Sequence, residues 1–121
     1  MNIDGVPVLD QAVLAELRDA TGDDDEFILD LVETYVTEGA ANLDGILGAA
    51  AARDLTAIVR PAHTLKSSSA SLGAMRLSAI ARGIEESARA GVSAGLAEDA
   101  ELARSMWFET LEAFAAAGLR R

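Results

Sequence analysis

Apolar residues recur along this chain at intervals of three and four, and period-two alternation is absent, so the predicted elements are helices. A first helix is expected from about Leu9 to Ala20. Asp10 is placed to cap it, Val13, Leu14 and Leu17 form its apolar face, and Thr21-Gly22 stops it. Residues 1–8, with Ile3, Val6 and Val8, read as an extended lead-in lying against the body of the domain. The second helix opens on Asp23-Asp24-Asp25-Glu26, an acidic turn that complements the positive end of the helix dipole. Its predicted apolar stripe is Phe27, Leu31, Tyr35, Leu43, Leu47 and Ala50, flanked by Ile28, Val32, Val36 and Ile46, and it ends near Ala51. Gly39, Gly45 and Gly48 each cost about 1 kcal/mol in a helix interior, so tertiary packing must hold this half.

Asp54 is placed to cap a third helix from about Leu55 to Leu72. Pro61 lies inside it and removes a backbone hydrogen bond at a cost of ~3 kcal/mol, which predicts a kink just before His63 or, failing that, a break. Gly73 ends the element. A fourth helix is expected from about Ala74 to Ala90, with Leu77, Ile80, Ala81, Ile84 and Ala88 on one face and Gly91 as its stop. The fifth runs from about Leu96 to Ala117 on Leu102, Ala103, Met106, Trp107, Leu111 and Phe114. Gly118 follows, and Arg120-Arg121 sets positive charge at the negative dipole end. Short connections between long helices make antiparallel neighbours. The expectation is an all-α fold: an up-and-down antiparallel four-helix bundle with an additional short N-terminal helix, one domain over residues 1–121.

Twenty acidic residues against ten basic ones give a net charge of −10, which disfavours nucleic acid and membrane surfaces as partners and favours a soluble monomer. The chain has no cysteine, so disulfides, thiolate metal sites and cysteine nucleophiles are excluded. One histidine and a contiguous acidic run at 23–25 leave no expected metal site. The N-terminus lacks a basic start followed by an apolar run, and no stretch has the length of a membrane span, so the expected location is the cytoplasm. The Met1 start suits a free-standing protein.

His63 and Lys66 are the only histidine and the only lysine in the chain, and they stand three residues apart, as surface neighbours on a helix. On a wheel of about 100° per residue with His63 at zero, Leu55, Ile58, Ala62, Leu65, Ser69 and Leu72 centre near 225°. His63 therefore points roughly 135° away from the core, and Arg60, Lys66, Ser67 and Ala70 share its face. An acidic protein that gathers Arg60, His63 and Lys66 on one low-relief face has built a local anion site. Ser67 could offer a hydroxyl to a bound anion, although small size accounts for Ser67-Ser68-Ser69 as a run. Met75, Met106 and Trp107 fall at core or core-edge positions.

The stretch His63-Thr64-Leu65-Lys66-Ser67-Ser68-Ser69-Ala70-Ser71-Leu72-Gly73-Ala74 closely resembles the active helix of histidine-containing phosphotransfer (HPt) domains of bacterial multistep phosphorelays. Asp23 to Val36 resembles that family's second helix, and Ile84-Glu85-Glu86 its signature on the following helix. Two positions depart from the pattern: Ser67 where the family usually has glycine, and Ser71 where it often has asparagine. Serine is the smallest replacement with a side chain, so docking is expected to survive. The resemblance implies that His63 accepts a phosphoryl group, that Lys66 neutralises it, and that Glu85 orients the histidine, with Arg60, Ser67 and Ala70 at the docking face. It implies response-regulator receiver domains and a hybrid sensor histidine kinase as partners. The chain itself would need no cofactor, because the magnesium belongs to the receiver. Without a Gly-rich nucleotide loop, it would be a carrier and not an enzyme with its own turnover. Two other classes compete: a helical adaptor in which His63 is incidental, and a hydrolase, for which no serine, aspartate and histidine arrangement can be located.

Overall fold

The computed structural model describes residues 2–121, and within them the apolar periodicity becomes five helices. They are α1 (Gln11–Ala20), α2 (Asp25–Ala51), α3 (Leu55–Ser71), α4 (Met75–Arg89) and α5 (Leu96–Ala116). Three aspartates start the first three. Asp10 accepts from the Ala12 and Val13 N–H groups, Asp24 from Phe27, and Asp54 from Ala57, each satisfying an otherwise orphaned donor and contributing about 1 kcal/mol. Because Asp10 is the cap, α1 begins at Gln11 and not at Leu9. The start of α2 is also later than the sequence predicts. Gly22 and Asp23 both hold positive φ, 66° and 60°, so the helix cannot include them. Its acidic first turn is Asp25 and Glu26.

α3 runs through Pro61 without the break that proline could have imposed. The ring meets α2 at Gly45, where an added Cβ would lie 3.4 Å from the Pro61 Cβ. The helix ends in a Schellman turn. Gly73, at φ 82°, donates its N–H to the Ala70 carbonyl at 3.1 Å, and Ala74 donates to Ser69 at 2.8 Å. Gly73 is needed for space as well as for its φ, since a Cβ there would come within 3.2 Å of the Asp10 carbonyl oxygen. The lead-in is fastened to this turn: Asp10 N–H donates to Gly73 at 2.8 Å, Arg76 N–H to Pro7 at 3.0 Å, and Arg76 Nε to Val6 at 2.6 Å.

α3 packs between α2 and α4, α5 closes the four-helix ring against α4 and α2, and α1 rests on α2. Ile58, Ala62 and Leu65 of α3 and Ile80, Ala81 and Ile84 of α4 are fully buried in one core. The stripe of α2 differs from the one its sequence suggests. Phe27 is 48 % exposed, and the buried line is Ile28, Val32, Tyr35, Gly39, Leu43 and Ile46. Gly39 shows why: a Cβ there would lie 2.5 Å from Trp107 Cη2, so α2 turns its bare backbone to the indole of α5. Tyr35 stacks obliquely on Trp107 and edge-on to Phe114, with centroids 5.5 and 5.8 Å apart. Its hydroxyl shares a buried hydrogen bond of 2.7 Å with Ser69, so Ser69 serves as a polar partner as well as a small residue. Burial, working against that bond, pushes the Tyr35 phenol up to about 12. At the C-terminal end α5 stops at Ala116 with no basic residue in its last turn, and Arg121 instead spans to Glu26, Asp30 and Glu33 of α2. Among the described residues no helix is long and apolar enough to cross a membrane.

Candidate functional site

The rotation of α3 is set by Ile58, Ala62, Leu65 and Ser69, all fully buried, and this turns His63 outward with its side chain 54 % exposed. On α4, Ala81, Ile84 and Ala88 face the core, which places Glu85 at the seam between the two helices. The Glu85 side chain is only 6 % exposed, yet it carries a carboxylate. Such a group persists only when its lone pairs are answered. Here three side chains answer them. Lys66 Nζ donates to Oε1 at 2.7 Å, His63 Nδ1 lies 2.9 Å from Oε2, and Arg89 donates to the same oxygen through Nε at 3.0 Å and Nη2 at 2.9 Å. Ser78 of α4 adds a hydrogen bond of 2.8 Å to the Lys66 carbonyl, tying the backbone of α3 to its neighbour.

Burial alone would raise the Glu85 carboxyl, but the hydrogen bonds from Lys66, Arg89 and His63 outweigh it and hold the group at about 2. Glu85 is therefore ionised, and an ionised carboxylate can only accept. The hydrogen atom in its bond to His63 must then sit on Nδ1, which leaves the lone pair of the neutral ring on Nε2, the nitrogen not engaged by α4. This is an oriented imidazole with a free basic nitrogen on an accessible face.

Beside the ring, an open groove of about 580 Å³ runs between α3 and α4, lined by Lys66, Ser67 and Ala70 on one side and by Arg82, Glu85 and Arg89 on the other. Of the residues singled out from the sequence, His63 and Lys66 both bond to Glu85, while Ser67 and Ala70 border the groove. Arg60 is exposed and takes no part in the cluster around Glu85. Arg89 escaped the sequence reading. Its signal was there in Glu85-Glu86-Ser87-Ala88-Arg89, an acid and a base one helical turn apart. That signal is common on solvated helix faces and gave no hint that the acid was buried.

Residues 30–117 match the Hpt domain. The crystal structure of histidine-containing phosphotransfer protein B (HptB) from Pseudomonas aeruginosa PAO1 superposes with a TM-score of 0.81 at 28 % identity, covering 93 % of this chain and 96 % of that one. No curated protein gives a significant match. A five-helix architecture that turns a lone histidine outward, a family match across most of the chain, and a likeness that runs nearly end to end agree, and the chain belongs to the Hpt family of histidine phosphotransfer domains, the carriers of phosphorelays.

Proposed function

We propose that His63 is the phosphoacceptor, that Lys66 neutralises the phosphoryl group, and that Glu85 orients the ring. The observation that carries this reading is the exposed imidazole whose Nδ1–H is held by a buried carboxylate. In the forward step the Nε2 lone pair attacks the phosphorus of a receiver-domain aspartyl phosphate. The N–P bond forms as the P–O bond to the aspartate breaks, and the receiver carboxylate leaves with the electron pair. No proton has to move, because Nδ1 keeps its hydrogen and the positive charge that grows on the ring is met by Glu85. The Lys66 ammonium, one helical turn away, offsets the phosphoryl oxygens. Passing the group to a second receiver reverses these bond changes.

Such a transfer depends on in-line positioning more than on covalent chemistry supplied by the protein. Magnesium and the phosphate cage are assigned to the receiver. The chain would work as a monomeric cytoplasmic carrier between a hybrid sensor histidine kinase and a response regulator. Ser67 and Ala70 border the groove where a receiver would seat, and Arg60 would meet it at the edge.

The test is to incubate the protein with a phosphorylated receiver and seek acid-labile, base-stable label on the chain. Label is expected on wild type and not on His63→Gln; label that survives the substitution defeats the assignment. Lys66→Ala should still accept label but about tenfold more slowly, the loss of one charge-assisted contact. Unchanged kinetics would remove the lysine from the mechanism. The adaptor alternative predicts receiver binding indifferent to both His63 and phosphorylation, and it gives no use to a carboxylate buried against the ring.

A further inference from the structure

We infer that Arg89 is a positioning residue for phosphotransfer, acting through Glu85: it anchors the carboxylate so that Lys66 is free to give its charge to the phosphoryl group. The inference rests on His63 being the acceptor. In the structure the charge of Lys66 is already engaged. Its ammonium is bonded to Glu85 Oε1 at 2.7 Å. Serving a phosphoryl group on His63 requires that charge to be shared with, or moved to, the new oxygens.

Were Lys66 the only cation on Glu85, moving it would strand a buried anion whose one remaining partner is the Nδ1–H of the reacting ring. The carboxylate would then either hold the lysine back or draw the ring hydrogen towards itself. The first outcome leaves the phosphoryl group uncompensated, and the second favours a proton on Nε2, which occupies the lone pair that must attack.

Arg89 prevents both. It engages the other carboxylate oxygen, Oε2, through two nitrogens at 3.0 and 2.9 Å. Residing four positions along the same helix, it keeps that geometry whatever α3 does. A guanidinium does not lose its proton and presents a rigid fork, whereas lysine is a compact charge on a flexible stem. The division of labour follows from these chemistries: the fork stays and the ammonium moves. Arg82, also on the groove, is paired with Glu86 at 3.0 Å and is not a substitute.

The test is a double-mutant cycle on transfer from a phosphorylated receiver, with Arg89→Gln, Arg89→Lys, Glu85→Gln and the Glu85→Gln/Arg89→Gln pair. It is joined by nitrogen-resolved NMR of the His63 ring in the unphosphorylated protein. Arg89→Gln should slow transfer roughly tenfold at saturating receiver with little change in KM, and Arg89→Lys should recover part of the rate. The Nδ1–H proton of the ring should move downfield in Arg89→Gln, because a carboxylate with one cation fewer accepts that hydrogen more strongly. In the Glu85→Gln background, Arg89→Gln should add no further slowing. Equal slowing in both backgrounds would mean that Arg89 touches the receiver itself, and no slowing in either would dismiss it; both overturn the inference. Label found on wild type away from His63 would instead strike the acceptor reading, and an unchanged Nδ1–H resonance in Arg89→Gln would independently sink the positioning role.

Discussion

Along the α3–α4 seam one carboxylate, Glu85, collects N–H groups from three side chains, whereas at the C-terminal end one guanidinium, Arg121, collects three carboxylates, Glu26, Asp30 and Glu33. The two clusters are inverse in charge and equal in number of partners. They differ in water. The Glu85 side chain is 6 % exposed, whereas Arg121 is 41 % exposed and its acidic partners more so. Contacts to Glu85 end on a carboxylate that little water reaches, so losing one leaves its charge less well answered, although His63 and Arg89 themselves stand 54 % and 60 % exposed. Those to Arg121 are screened by solvent and salt, although they too shift a pKa, pushing the guanidinium further up. Similar contact lists therefore carry different consequences: the first cluster sets the state of a reactive ring, and the second straps a helix end.

The sharpest way to break this contrast is Glu85→Ala. It should slow transfer by about tenfold or more and lower the unfolding free energy by about 2 kcal/mol, less than the ~3–5 kcal/mol of a fully buried pair because Lys66 and Arg89 can turn to water. Rapid-quench transfer and urea unfolding measure the two effects, and wild-type values for both would mean that the buried carboxylate is dispensable.

Acid provides the next test. The folded-state pKa of Glu85, about 2, lies below its ordinary 4.5, so the unfolded chain binds the proton more readily. The stabilisation is complete above about pH 4.5 and disappears as pH falls towards about 2. Urea midpoints followed across that window should fall more steeply for wild type than for Glu85→Gln; parallel curves would place the acid sensitivity elsewhere. The smallest expected effect is that of Arg121→Ala, which should leave transfer unchanged and shift the urea midpoint slightly at low salt, the shift vanishing near 0.5 M salt, where the screening length is only about 4 Å. A shift that persists at high salt would show the strap to be better protected from solvent than its exposure indicates.

Much of this was legible from local pattern. Asp10 and Asp54 announced their caps, Gly73 its stop, and the wheel turned His63 away from the core, because each of these depends on neighbours within a turn or two. The resemblance to Hpt domains pointed to Glu85, but its burial was not readable, since an acid followed four residues later by a base looks the same on any wet helix. Nor was the outward turn of Phe27. Periodicity alone offered two adjacent lines on α2, and the choice between them was made by Trp107, whose indole occupies the space that a side chain at position 39 would need. The serine run told only of size, and the partner that makes Ser69 a buried hydrogen-bonding group lies 34 residues away in Tyr35.

By itself, then, the amino-acid order determined where helices begin and end to within about two residues, and which way the histidine faces, because caps, glycines and the 3.6-residue repeat act over short range. Only the tertiary structure decided which line of α2 is buried, that Lys66 rests on Glu85, and that Arg89 shares the same carboxylate. Those outcomes depend on which helices lie side by side and on how much water remains between them, and the strength of a charge contact follows from that exclusion.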